Sequence, residues 1–488
     1  MQDDQLPPAG ITPAEWAATP PAVRAALRAA LVVIEQLLPL HQQLAALQQQ
    51  VAELQARLNQ HSGNSSKPPS SDPPSTPPRP ARSPRGRARG AQPGHVGQHR
   101  PLLPEDEVQE IVPHHPLSCP TCLADLPPSL PDAAPILRQQ VWEIPQVRPI
   151  VREHQYHSVC CPHCQALVRA ERGAAVPPGA FGPRVAATVG LLRGSYHLSD
   201  QEVGTLLFEL FGLPISDGSV VALQTSVSVA LATPYEAVRS TVQSAPVVNV
   251  DETGWKEAGA RRWLWVVVTT TVTLFQVATG RGAGVVRQLL GTDFAGIVGS
   301  DRLKSYRCLA LDRRQLCWAH LIRNLLALAE RNGSLGAWAG DLLALAELMF
   351  AIWHQFRAGV IDRALLQAAL VPIQASMRAI LERGQRRYDQ AQGLSDELLA
   401  LWPALWTFAV VEGVEPTNNA AERALRPAVL WRKKSFGAQS QAGNTFVERI
   451  LTIRATCTQQ GRHLLTFLTE AVQAQWAGQP APTLVPTP

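Results

Sequence analysis

The sequence predicts a multidomain α+β protein, and three observations carry that reading. The chain has 488 residues, which at roughly 150 residues per domain makes about three folded units. Its apolar pattern changes along its length, from a leucine heptad near the N-terminus to strand-like runs from Ala245 and then an Ala- and Leu-rich helical stretch over 319–410. Two Cys-Pro-x-Cys pairs frame a small unit between the first two patterns. Hydrophobic residues make up 45% and charged residues 17%, which fits a packed core and excludes a wholly disordered, collagen-like or disulfide-scaffold chain.

The first element is a helix over residues 21–60. Leu37, Leu40, Leu44, Leu47, Val51, Leu54 and Leu58 follow the alternating three- and four-residue spacing of a coiled-coil seam. Val51 at an a position with leucines at d suits a two-stranded coil and a homo-oligomer; an amphipathic helix packed on its own chain is the alternative. Pro39 predicts a fresh helix start.

Residues 62–100 read as a basic, Pro-rich linker. The segment has nine prolines, six arginines and one lysine against one aspartate. Its net charge of +6 exceeds the +5 of the whole chain, so the basic character is local. Arg82, Arg85, Arg87 and Arg89 are candidate contacts to a DNA backbone, a salt-sensitive interaction that reads no sequence; a solvated spacer is the bland alternative.

Residues 101–175 predict a zinc ribbon. Cys119 and Cys122, then Cys161 and Cys164, form two knuckles whose four thiolates suit one structural Zn²⁺ with no open position. The gap between the knuckles is longer than usual, and Cys160 is a spare neighbour. Alternating apolar residues from Val141 to Val159 suggest strands. Residues 180–235 then read as helix-turn-helix-like. Ser199 and Glu202 form a capping box, Gly212-Leu213-Pro214 ends that helix, and Ser216 can cap the next. Such a pair either reads DNA or merely packs.

Residues 245–475 predict a catalytic domain, with a helical insertion at about 325–410. Pro246–Val250, Arg262–Thr270, Val272–Ala278, Ala295–Gly299 and Gln315–Trp318 read as strands, with a helix over Gly284–Leu290. That is the element order of an RNase H-like sheet. Asp251 and Asp301 each fall just past an apolar run, and Glu422 sits in a helix opening at Thr417-Asn418-Asn419 and stopped by Pro427. Neighbouring strands lie about 4.8 Å apart, so the two aspartates can share metal ions. Two Mg²⁺ (or Mn²⁺) ions held by three carboxylates would serve phosphoryl transfer. The bland readings are a hairpin turn at Asp251, a helix N-cap at Asp301 and a capping partner at Glu422. Cys317 and His320 are two metal-capable residues, too few for a site, and read as packing or DNA-proximal groups.

The motifs themselves resemble a known family. Asp251-Glu252-Thr253-Gly254-Trp255, Ser300-Asp301 with Tyr306, Cys317-Trp318-Ala319-His320 with Arg323, and Asn418-Asn419-Ala420-Ala421-Glu422-Arg423 are similar to the IS-sixty-six family of bacterial insertion-sequence transposases. The linker motifs from Asn64 to Asp72 and from Gln92 to His95, and both knuckles, match as well, in the family's order. The resemblance implies a DDE transposase that cleaves and joins DNA at the element's ends, with Asp251, Asp301 and Glu422 as its acidic residues. It also implies that Arg432, Lys433 and Lys434 hold DNA phosphates, and that double-stranded DNA and accessory transposition proteins are partners. Leu123-Ala124 stands where the family usually has a glycine after the first knuckle. A catalytically inactive DNA-binding derivative is the alternative, and the intact acidic triad argues against it. No apolar run approaches the ~18 residues of a membrane span, and Met1-Gln2-Asp3-Asp4 lacks a signal-peptide pattern. A cytoplasmic protein, nucleoid-associated when bound to DNA, is the expectation.

Overall fold

The computed structural model describes residues 7–8, 10–58, 100–126, 137–173, 176–331, 333–387 and 389–485. Arg82, Arg85, Arg87 and Arg89, with almost all of the expected linker, lie outside the described residues.

Helix α1 (Pro13–Ala18) opens with a capping box, Thr12 accepting from Glu15 N–H and Glu15 accepting from Thr12 N–H. Helix α2 (Pro21–Leu58) is a single helix of 38 residues that runs through Pro39. The fresh start expected at Pro39 is therefore absent. A proline removes one backbone bond, and the ladder continues on both sides of it. The seven seam residues are between 51% and 80% exposed, so no part of the described chain covers them.

The unit at 101–173 is sparse in regular structure. Its only ladder among the described residues is a hairpin of β1 (Ser158–Cys160) and β2 (Leu167–Arg169), which flanks the second knuckle. The strands expected from Val141 onward reduce to Ser158–Cys160. Val141, Ile144, Ile150 and Val151 are exposed and find no partner strand to bury them.

Four helices follow: α3 (Pro183–Tyr196), α4 (Asp200–Phe211), α5 (Asp217–Ala230) and α6 (Ala232–Gln243). Ser199 and Glu202 exchange the reciprocal bonds of a capping box at the start of α4. Gly212, in the left-handed region at φ 62°, closes the helix, and Ser216 caps α5.

The fold that follows is mixed α/β. Strands β3 (Val247–Glu257), β4 (Ala260–Val268), β5 (Thr273–Ala278), β6 (Ile297–Ser300) and β7 (Arg314–Leu316) form one sheet in the order β5-β4-β3-β6-β7. The first three are antiparallel, and β6 and β7 run parallel to β3. Helix α7 (Ala283–Leu290) links β5 to β6. Residues Asp251 to Gly254 are not a turn. They lie in β3, paired with Val266 to Trp263, and the reversal comes later, at Ala258 and Gly259, both with positive φ.

Helices α8 (Trp318–Ala329), α9 (Ser334–Arg357), α10 (Arg363–Arg387), α11 (Asp389–Ala400) and α12 (Thr407–Val410) form an inserted helical body with its own core. Trp338, Leu342, Met349, Trp353, Leu366 and Met377 are buried in it. Within it, Ser334–Arg357 and Arg363–Arg386 are long and apolar enough to cross a membrane, by length and composition alone. Their apolarity escapes a search for uninterrupted runs because single polar residues divide it.

Helices α13 (Asn419–Ser435), α14 (Gln441–Gln459) and α15 (Leu464–Trp476) return to the sheet and to α3–α6 in one core. Helix α13 passes through Pro427 instead of stopping there. Leu425, Ala428 and Trp431 are buried around that proline, and the packing of this face outweighs the lost backbone bond. Glycine at 194 lets α3 approach α14, since a Cβ there would collide with Ile450. Along α14, Glu448, Thr452 and Thr456 accept from the N–H groups of Val277, Phe275 and Thr273 at 2.7, 2.9 and 3.1 Å. The helix thereby supplies the partners that the edge strand β5 would otherwise lack.

Candidate active site

Strand alternation places Asp251, Thr253 and Trp255 on the same face of β3. Helix α13 crosses that face. The Arg432 guanidinium donates to Thr253 Oγ1 at 3.1 Å and to the Gly254 carbonyl, and Trp431 meets Trp255 edge-on at 6.4 Å. The β3–β6 ladder pairs Val247 with Ile297 and Asn249 with Gly299. The same offset, continued past the end of the ladder, sets Asp251 level with Asp301. Asp251 is thus interior to its strand but lies beyond the stretch where β6 is paired.

Four elements are tied together at this point. The Asn418 side-chain amide donates to the Val250 carbonyl at 2.7 Å, and the Asn418 N–H donates to Cys317 Sγ at 3.1 Å. Cys317 N–H donates to the Ser300 carbonyl at 2.8 Å, and Trp318 N–H to the Pro416 carbonyl at 2.9 Å. These bonds fix the first turn of α13, and with it Glu422, over the ends of β6 and β7.

Asp251, Asp301 and Glu422 are brought together here. Burial pushes the Asp251 carboxyl well above its usual range, and the charges of Glu252, Asp301 and Glu422 add to the push. Asp301 Oδ1 accepts from Leu303 N–H at 2.8 Å and leads into a 3₁₀ turn, Lys304–Cys308, whose N-cap position is Leu303. Glu422 does not serve a capping box, because the N-cap residue of α13, Asn418, makes no side-chain cap bond. Its carboxylate instead meets Arg323 Nη2 at 3.1 Å and His320 Nδ1 at 3.4 Å, both from α8. Burial lowers the His320 pKa, with Glu422 opposing, which favours the neutral ring.

Glu252 deserves more weight than its sequence context suggested. It sits on the opposite face of β3, its side chain is only 6% exposed, and it faces Arg281 at 3.8 Å and the Tyr306 hydroxyl at 3.4 Å. Burial, with Asp301 adding, raises its pKa to about 7. The signal available in the sequence was its alternation with Val248 and Val250. Cys317, His320 and Glu422 also form a group whose ligand atoms all lie within 4.8 Å of one another. The third member comes from α13, a hundred residues along the chain, and so a two-ligand reading of Cys317 and His320 was all that local sequence allowed.

The remaining candidates are dispersed. Cys119 and Cys161 each open a tight knuckle, closed by Leu123 N–H to the Cys119 carbonyl at 2.8 Å and Gln165 N–H to the Cys161 carbonyl at 2.9 Å. Among the described residues, the two knuckles are not gathered into one four-thiol group. Arg432 donates to β3 through Nη1. Lys434 pairs with Glu202 at 2.9 Å on the surface, and Lys433 is exposed.

The arrangement suits divalent cations, because burial and its acidic neighbours disfavour the charged form of Asp251, and a cation would offset that cost.

An acidic cluster on a mixed sheet, met by a helix from the far end of the chain, is the setting in which the comparisons place the chain among transposases. The chain belongs to the transposase IS66 family, whose model matches residues 178–445, more than half of the chain. That match covers Asp251, Asp301, Cys317, His320 and Glu422 and leaves out the knuckles. Residues 18–101 match a family of unknown function (DUF6444). The uncharacterized protein y4qI of Sinorhizobium fredii (strain NBRC 101917 / NGR234) is 26% identical over 248 residues, covering 45% of this chain and 45% of that protein. The chain therefore spans less than half the length of that relative.

Proposed function

We propose that this transposase performs metal-dependent DNA cleavage and strand transfer at the ends of a bacterial insertion sequence, with Asp251, Asp301 and Glu422 as its catalytic residues. The observation that carries this reading is the convergence of the three carboxylates from β3, the end of β6 and the first turn of α13. The mixed sheet, with three antiparallel strands followed by two parallel ones, supports an RNase H-like domain over 245–475 with its insertion at about 325–410.

Divalent ions, Mg²⁺ or Mn²⁺, supply Lewis acidity for the attacking and leaving oxygens of the phosphodiester. Asp251 from within β3 and Asp301 from just past β6 would present oxygen ligands, and Glu422 its own from α13. Arg323 holds the Glu422 carboxylate in place, while Asn418 fixes the backbone that carries it. The buried walls around Asp251 exclude water and so strengthen each charge interaction at the reacting phosphate.

The flanking units fit DNA handling. The four knuckle cysteines suit a structural Zn²⁺ in the 101–175 unit, and α4 with α5 suits a helix-turn-helix in 180–235. The exposed seam of α2 suits self-association, which would bring two element ends together. The arginines of 62–100, with Lys433 and Lys434, suit sequence-independent backbone contacts. The test is a cleavage and joining assay on DNA carrying the element's own ends. Asp301→Ala should lose both reactions and keep end binding; an Asp301→Ala protein that still cleaves would overturn the proposal.

A further inference from the structure

The residues from Cys317 to His320 repeat a pattern seen twice elsewhere in the chain. In the first knuckle, Cys119 Sγ receives the backbone N–H groups two and three residues on, from Thr121 and Cys122. In the second, Cys161 Sγ receives those of His163 and Cys164. Cys317 stands at the N-cap of α8, and its Sγ accepts the Asn418 N–H at 3.1 Å; burial pushes its thiol up to about 11 against that donor. All three share the C-x-x-[C/H] spacing, and in each the Cys carbonyl accepts the N–H four residues on, from Leu123, Gln165 and Leu321; the first two then turn through a left-handed residue, and the third enters α8. The Asn418 N–H favours sulfur in its anionic, metal-binding form, and a bound cation would offset the burial that opposes it.

Mere packing leaves two features of this third knuckle unexplained. His320 Nδ1 is buried without a hydrogen-bond partner, although it lies 3.4 Å from Glu422 Oε1. Sulfur, imidazole nitrogen and carboxylate oxygen from two separate helices converge within 4.8 Å. Bond lengths to Zn²⁺ of about 2.0–2.3 Å imply tetrahedral donor separations of roughly 3.3–3.8 Å, so a small contraction closes the set.

We propose that Cys317 Sγ, a ring nitrogen of His320 and a carboxylate oxygen of Glu422 hold one transition-metal dication of the Zn²⁺ class. Three protein ligands leave the fourth position open, the pattern of a catalytic rather than a structural site. Thiolate and imidazole select against Mg²⁺, so this ion differs in kind from one bound by Asp251, Asp301 and Glu422 through oxygen alone; the Glu422 carboxylate has two oxygens, one for each ion. A Zn²⁺ with one thiolate and one carboxylate ligand is electrically neutral, and binding it displaces the thiol proton to solvent. The inference deepens the transposase reading and rests on it for the purpose of the ion, but the binding is measurable without DNA.

The experiment uses the full chain, stripped of metal, dialysed against Zn²⁺ and assayed for zinc by elemental analysis. Wild type should hold one ion per chain more than Cys317→Ser and His320→Gln, both checked for retained helicity and melting temperature. A zinc count in either variant equal to that of wild type overturns the site. Independently of both variants, the chain carrying Ser at 119, 122, 161 and 164 should bind Co²⁺ with a thiolate-to-metal charge-transfer band; a Co²⁺ spectrum without that band also overturns it. Asp251→Asn should keep this ion and lose DNA cleavage. If cleavage depends on Asp251 while zinc content is indifferent to Cys317 and His320, the metal site falls and the transposase reading stands.

Discussion

The side-chain amide of Asn418 donates to the carbonyl of Val250 at 2.7 Å, joining the residue just before α13 to the residue just before Asp251. Asn418 is 1% exposed, so the bond is sheltered from water. It sets the height of Glu422 over the strand ends from a distance of four residues. Asn418→Ala leaves the Val250 carbonyl without that donor and should cost about 1–3 kcal/mol of stability. It should also reduce DNA cleavage more than DNA binding. Thermal denaturation and parallel binding and cleavage assays check this; equal losses in both assays would reduce Asn418 to a packing residue.

The cap on the sheet edge titrates. Burial raises the Glu448 pKa from 4.5 to about 7, against the pull of Val277 N–H. The folded state thus holds this proton more tightly than the unfolded chain. Its contribution is complete below about pH 4.5 and is lost as pH rises through about 7, a change of up to roughly 3 kcal/mol. Glu448→Gln keeps an acceptor for Val277 and cannot ionise. The variant should gain stability over wild type at pH 8 and lose that advantage near pH 4.5. Chemical denaturation at the two pH values measures it, and a variant no more stable at pH 8 contradicts it.

The seam of α2 should drive self-association. Leu47 and Leu54 are 58% and 55% exposed in the single chain, an arrangement that costs free energy unless a second copy covers it. Leu47→Asp with Leu54→Asp should shift the full chain to a smaller species in light scattering. A wild-type monomer at micromolar concentration, with and without DNA, would contradict the coiled-coil reading.

Local chemistry made some of this legible from the chain alone. The Ser199–Glu202 capping box spans four residues and depends on nothing else. Asp251 and Asp301 stand out because each follows an apolar run, and Glu422 because it lies in the first turn of a helix opening at Asn418-Asn419. The rest depends on contacts between distant segments. Nothing local marks Glu252, because only the continuation of β3 to Glu257 turns its side chain toward Tyr306 and Arg281. Pro39 and Pro427 looked like helix ends, and both lie inside helices. The bonds of Arg432 to Thr253 and Gly254 cross nearly 180 positions of sequence, and no local pattern points to them.

The three-carboxylate centre is tested most directly by comparing two glutamates in one assay. Glu422→Gln keeps the shape of the side chain and removes the charge needed to hold a cation. Glu252→Gln removes a charge on the opposite face of β3, from a group whose pKa of about 7 already leaves it partly protonated at neutral pH. Cleavage and strand transfer on DNA bearing the element's ends should fall by about a hundredfold or more in Glu422→Gln, with end binding intact. They should fall far less in Glu252→Gln. Near-normal reaction in Glu422→Gln, with loss in Glu252→Gln, would contradict the account and move the third acidic ligand to Glu252.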